Sequence, residues 1–206
     1  MDAEDALCGW QARMSELNFS SFGRSYLQRL ESASRQIPLE AVEELAKALL
    51  DCWRNSCQFF IFGNGGSAGN AIHLANDYLY GISGVAGNAL RVHALPANTA
   101  VLTCLANDEG YEHVFAHQIT VLAKPGDLAL ALSGSGNSPN ILRGLECCKE
   151  RGVRSFALLG FSGGKAKALA DVPIHIATND MQISEDLQLI VGHMLMQWLY
   201  AHRDKG

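Results

Sequence analysis

Two short apolar runs in this chain each end in a glycine-rich, serine-bearing loop that leads straight into helical sequence. CQFFIF (57–62) runs into Gly63-Asn64-Gly65-Gly66-Ser67 and then AGNAIHLANDYL. DLALAL (127–132) runs into Ser133-Gly134-Ser135-Gly136-Asn137-Ser138 and then a helix expected from about Pro139 to Arg151. Runs of this length without polar alternation fit strands buried on both faces. A buried strand that exits through a tight turn into a helix is the opening of a β-α-β unit, and such units build parallel sheets.

The rest of the chain keeps the alternation. RVHAL (91–95), RSFALLG (154–160) and VPIHIA (172–177) read as three more strands. NTAVLTCLANDEGYEHVFAHQITVLA reads as two helices broken near Gly110, FSGGKAKALA as a loop and short helix, and Ser184 to His202 as a long closing helix. Two helices are expected ahead of the first strand, from Ser21 to Ala33 and across IPLEAVEELAKALLDCWRN, the latter with Pro38 in a first-turn position. The fold class is therefore α/β: a doubly wound, five-stranded parallel sheet flanked by helices, with extra N-terminal helices. Residues 21–206 form one domain, and residues 1–20 read as a polar tail that frays or contacts a partner.

Composition narrows the function. Sixteen Lys and Arg against 21 Asp and Glu leave a net charge of −5, which argues against nucleic-acid binding through bulk positive charge. Every apolar run falls short of the ~20 residues a membrane helix needs, and the acidic N-terminus does not resemble a secretory signal. Six cysteines with no C-x-x-C read as reduced core thiols, which points to the cytoplasm and away from a zinc finger.

Ligands of open α/β sheets bind at the carboxyl ends of strands, where both glycine loops lie. Each loop opens a helix, so backbone N–H groups and the positive end of the helix dipole face whatever occupies it. Ser67, Ser133, Ser135 and Ser138 add hydroxyls, suiting a phosphate monoester without any basic side chain. The bland alternative is two tight βα turns. Gly63, Gly65 and Ala68 also satisfy G-x-G-x-x-A, but GVAGNA (84–89) supplies neither the strand nor the acid that would hold a ribose, so no nucleotide cofactor is expected. Gly160 to Lys165 lacks P-loop spacing and reads as an ordinary βα loop.

His73 and Asp77 stand at i and i+4 on the helix after the first loop. Glu185 and His193 lie eight residues apart on the last helix, about 80° apart around its axis and so broadly on one side. Imidazole with carboxylate serves as a proton-transfer pair or as divalent-metal ligands; it is also common as a plain surface contact. His113 and His117 show the same spacing and read as surface or subunit-contact residues, while Asn107 and Asp108 are candidates to line a polar pocket.

FGNGGSAGNAIHLANDYL, CLANDEG, SGSGNSPNIL, LLGFSGGK and the closing E-x7-H helix together resemble the sugar isomerase (SIS) domain family, in the branch of the bacterial phosphoheptose isomerases, over residues 40–203. The resemblance implies a homotetramer with sites between subunits, a phosphorylated sugar substrate and a bound divalent metal, zinc in many members. It makes Asp77 and His193 the proton-transfer residues. Taken with the loops and the imidazole–carboxylate pairs, the expected metal ligands are His73, Asp77, Glu185 and His193, and the expected substrate-binding residues Asn64, Gly65, Gly66, Ser67, Asn107, Asp108, Ser133, Ser135, Asn137 and Ser138.

Two positions depart from the family's pattern: Asp77 stands where its base is Glu, and Glu185 where it has Gln. The first shortens the base by one methylene, to which proton transfer is sensitive. The second adds a charge that favours a cation and is costly without one. The expected reaction is ketose–aldose isomerisation, most simply of sedoheptulose 7-phosphate through an enediol. The rival reading is a non-catalytic regulator of the same fold that binds a sugar phosphate or a protein partner.

Overall fold

The computed structural model describes residues 18–82 and 89–203. Most of the expected N-terminal tail, with Cys8, lies outside them, as does most of GVAGNA. Within the described residues the order is α1 (Phe19–Ser34), α2 (Leu39–Arg54), β1 (Gln58–Gly63), α3 (Gly65–Asn76), a π-helical turn (Asp77–Gly81) and β2 (Arg91–Ala94). There follow α4 (Thr99–Asp108), a 3-10 turn (Tyr111–His113), α5 (Val114–Leu122), β3 (Leu128–Ser133) and α6 (Pro139–Glu150). β4 (Arg154–Leu159), α7 (Ala166–Leu169), β5 (Val172–His175) and α8 (Met181–His202) complete the chain.

The five strands form one parallel sheet in the order β2-β1-β3-β4-β5, the α/β architecture expected. Alternation along the strands fills two cores. Phe59, Ile61, Leu128, Leu130, Leu132, Phe156 and Leu158 point to the face covered by α1, α2, α3 and α8. Phe60, Phe62, Ala129, Ala131, Ala157 and Leu159 point to the face covered by α4 to α7. Pro173 stands in β5, an edge strand, where its missing N–H interrupts no ladder.

The chain runs outward from β1 to β2, returns past β1 to β3, and then runs the other way. The reversal falls between β1 and β3, so the loops after these two strands diverge from one crevice, where Gly63 is registered against Leu132.

Helix ends follow local chemistry. Asn18 caps α1 by accepting the Ser21 N–H at 3.0 Å. Asp180 caps α8 by accepting from Ile183 N–H at 3.3 Å, so that helix begins at Met181 rather than at the expected Ser184. Pro38 takes the cap position of α2 rather than its first turn. Asp180 also pairs with Arg29, and Tyr26 donates to Asp186 at 2.5 Å, tying α1 to the start of α8. Burial together with the Asp186 bond pushes the Tyr26 hydroxyl up to about 12. Of the described cysteines, Cys52, Cys147 and Cys148 are buried thiols as expected; Cys57 is half-buried and Cys104, on the outer face of α4, is exposed.

Candidate active site

α8 runs parallel to α3 and in step with it. The Glu185 carboxylate lies against Gly66, where an added Cβ would meet its oxygens at 2.3 Å. Three residues on, the buried Gln188 donates to Ser67 Oγ at 3.0 Å and accepts from Asn70 Nδ2 at 2.9 Å, while Asn70 also donates to the Glu185 carbonyl at 3.0 Å. Further along, Gly192 packs against Leu74 and its carbonyl accepts from Tyr78 Oη at 2.9 Å. The missing side chain at Gly192 lets the two helices close up.

That approach brings His193 to the first helix. His73 Nε2 and His193 Nε2 are 3.0 Å apart, and Asp77 Oδ2 is 3.5 Å from each. Asp77 is also the first residue of the π-helical turn, a widened turn of the kind frequent at functional sites. Both imidazoles are about half exposed, whereas the Asp77 side chain is 19% exposed. Two Nε2 atoms in hydrogen-bond contact mean that, without a cation, one ring carries the hydrogen and the other offers its lone pair.

The three donor atoms also suit a metal. Tetrahedral zinc with ligands at about 2.0–2.1 Å spaces its donors about 3.4 Å apart, close to the edges of this triangle. Two imidazoles and a carboxylate are a borderline-soft set that zinc accepts and calcium or magnesium does not seek. Among the described residues this is the one group of three or more such side chains whose donors converge within 4.8 Å, and Glu185 is outside it.

The two loops face one another across the crevice. Gly65, with φ of +54°, turns the chain from β1 into α3. Asn64 sits at the cap position of α3 but does not cap it. In the second loop Ser133 Oγ accepts from Gly136 N–H at 3.0 Å and Ser135 Oγ from Asn137 N–H at 3.3 Å. Each of these bonds uses the hydroxyl oxygen and leaves its O–H donor for another partner. Asn137 Oδ1 accepts from Lys165 N–H at 3.1 Å, so the loop after β4 braces the second loop. Ser138 begins α6 without a side-chain cap bond.

Ser67 is 4% exposed and engaged with Gln188, beneath the loop rather than on its surface. Asn107 and Asp108 sit exposed at the end of α4, bonded to each other at 2.7 Å, with Asp108 accepting from the Cys104 thiol at 3.4 Å and holding that thiol above its ordinary range. Their segment reaches the first loop through Tyr111, whose hydroxyl donates to Asn64 Oδ1 at 3.0 Å. His117 contacts Glu109 at 3.2 Å, apart from the cluster. Tyr111, Asn140 and Gln188 are site-building residues that the sequence reading missed; only their nearness to the loop motifs marks the first two, and nothing local marks Gln188.

Comparison with known proteins places this geometry in context. The family model for the SIS domain matches residues 21–160. A phosphoheptose isomerase of Trichlorobacter lovleyi is 36% identical over 154 residues, 75% of this chain and 78% of that protein. A probable phosphoheptose isomerase of Thermoplasma volcanium is 35% identical over 170 residues, 82% and 86% of the two chains. The solved phosphoheptose isomerase of Neisseria gonorrhoeae superposes with a TM-score of 0.79 at 28% identity, covering 93% of this chain and 99% of its own.

Proposed function

The chain belongs to the SIS domain family, and from that premise we propose that it is a phosphosugar isomerase interconverting a ketose phosphate and its aldose. Sedoheptulose 7-phosphate is the substrate we assign, the relatives being phosphoheptose isomerases. The observation that carries the chemistry is the His73–Asp77–His193 triangle, built on the helix that opens from the first glycine loop.

In this reading the backbone N–H groups of Gly65 and Gly66 and the hydroxyls of Ser133, Ser135 and Ser138 hold the phosphate, with Asn64 and Asn137 shaping the loops around it. Helix N-termini supply the positive potential, so an acidic protein grips a dianion without a lysine. Asp77 Oδ2 or His193 Nε2 takes the proton from C1 of the ketose. The electron pair moves into the C1–C2 bond, and the C2 carbonyl oxygen gains a proton to give the enediol. A proton then returns to C2 as O1 loses its own and becomes the aldehyde oxygen. Without a metal, His73, in contact with His193, relays the proton between rings; zinc on the same two Nε2 atoms would displace that relay and leave the Asp77 carboxylate as the base. The Ser67–Gln188–Asn70 network holds the loop helix and the histidine helix in step.

Zinc would be held by His73, Asp77 and His193; Glu185, called a fourth ligand from the sequence, rests against Gly66 about two turns back along α8 and stands outside that set. When bound, zinc supplies Lewis-acid stabilisation of the developing oxyanion. We place the enzyme in the cytoplasm as a homotetramer of single-domain subunits (residues 21–206). Large apolar side chains exposed beside the cluster, Ile72, Leu79, Tyr80 and Met194, support subunit contacts there. No helix among the described residues is long and apolar enough to cross a membrane.

The test is isomerisation in heavy water followed by NMR, with metal content quantified. Aldose formation and deuterium entering at C2, both lost in Asp77→Asn and His193→Ala, are expected. Binding of the sugar phosphate with no exchange in the unmodified protein would replace the enzyme by the non-catalytic regulator.

A further inference from the structure

Asn64 presents an anomaly at the first loop. Asparagine is among the strongest N-cap residues, because its Oδ1 accepts from the N–H groups of the second and third helical residues. Here it stands at the cap position of α3 and makes no such bond. Its side chain is held elsewhere. Asn64 Nδ2 donates to Asn140 Oδ1 at 2.8 Å, and Asn140 Nδ2 donates back to Asn64 Oδ1 at 2.8 Å. Tyr111 Oη donates to the same Asn64 oxygen at 3.0 Å.

The orientation of this ring of bonds is forced. Asn140 Oδ1 also lies 3.0 Å from the backbone N of Ile141, which can only donate, so that atom is the amide oxygen. The reciprocal pairing then fixes Asn64 with Oδ1 toward Asn140 Nδ2. Both lone pairs of that oxygen are filled, one by Asn140 and one by Tyr111. One N–H of the Asn64 amide has no partner among the described residues.

We infer that Asn140 and Tyr111 are positioning residues that withhold the Asn64 oxygen from its own helix, keeping the start of α3 uncapped for the substrate's phosphate. Asn140 is 1% exposed and lies in the first turn of α6, immediately after the second loop. Its bond to Asn64 therefore also sets the spacing of the two loops across the crevice. Tyr111 ties the same oxygen to the segment that carries Asn107 and Asp108. An ordinary cap would satisfy the helix in the empty protein and compete with the anion; the ring of bonds removes that competitor. This inference rests on the phosphate-gripping role given to the loop above, and deepens it.

The test compares the unmodified protein with Asn140→Leu and with Tyr111→Phe, a change at an exposed side chain that leaves the fold intact. Inorganic phosphate is the probe, titrated by NMR, with amide hydrogen exchange at Gly66 and Ser67 read on the same samples. Once released, Asn64 is expected to cap its helix. Phosphate then binds about fivefold more weakly, in line with the worth of a cap, and the Gly66 or Ser67 N–H becomes more protected from exchange. A merely structural role would lower that protection. In turnover the expected signature is a raised KM for the sugar phosphate with kcat retained.

Unchanged phosphate affinity in both variants, or weaker binding with protection falling, overturns the inference, as does failure of the unmodified protein to bind phosphate. Absence of turnover in the unmodified protein, with the phosphate and exchange results as expected, would sink the isomerase reading and leave this one standing.

Discussion

Leu74 and Gly192 touch so closely that a Cβ on the glycine would fall 2.2 Å from the leucine's Cδ2. Neither residue carries chemistry, yet this contact sets the separation of the two helices that bring His73 and His193 within 3.0 Å of one another. Interiors packed to crystal density do not absorb an extra methyl freely.

Gly192→Ala is therefore expected to destabilise the fold by about 1–3 kcal/mol and to cut isomerase turnover at least tenfold by parting the imidazoles. Thermal melts and kcat measure the two effects separately. Leu74→Ala in the same chain reopens the space and should recover turnover more than stability, since it leaves the core short of methyl groups.

The zinc reading proposed for the triangle predicts that His73→Ala weakens metal binding. Removing one of three converging donors lowers zinc content at matched free zinc, read by elemental analysis after dialysis. Glu185→Gln, at a residue outside the triangle, should change that content much less than His73→Ala does. An equal loss in both variants would make Glu185 a full ligand in solution.

Gln188→Leu removes the partner of two buried or half-buried polar groups, Ser67 Oγ and Asn70 Nδ2. Unpaired groups of that kind cost about 1–3 kcal/mol, and denaturant unfolding should show a loss in that range. Because the network also holds the step between α3 and α8, kcat is expected to fall alongside.

The Tyr26 hydroxyl sets an alkaline limit. Its ordinary value of 10.0 is pushed up to about 12 in the folded protein, first by burial and then by its bond to Asp186. A group raised on folding gives stability that is complete below pH 10 and is lost as pH climbs toward 12. Unfolding free energy should decline over that window, and the decline should be shallower in Tyr26→Phe. Buried Cys52 and Cys148, also pushed up to about 12, titrate in both proteins and cancel in the comparison.

Much of this was legible in the sequence because its signals are local. Apolar runs ending in glycine mark β1 and β3, and helical spacing marks α2 and α8. What was not legible depends on contacts between distant segments. Gln188 meets Ser67 across 121 residues and Asn140 meets Asn64 across 76, and no periodicity announces either. A spacing of eight residues sets Glu185 and His193 on one side of α8 but says nothing of their separation along the axis. Eight residues advance a helix by about 12 Å. Because α8 lies parallel to α3, that advance puts Glu185 at the first glycine loop and His193 at the triangle. The π-helical turn at Asp77 has no sequence signature of its own, and the unused cap at Asn64 reads as an ordinary cap until its partners are seen.

The parallel seating of α8 on α3 also orders events during synthesis. Both glycine loops and all five strands precede Met181, so a chain emerging from a ribosome carries every strand before the helix bearing His193 is synthesised. Until then one face of the sheet lacks Ile183, Leu187, Val191, Leu195 and Leu199, and its core lies open to water and to other nascent chains. Docking of the closing helix covers that face and seats His193 beside His73 in one event. Molecules halted short of it keep that apolar face uncovered and lack His193.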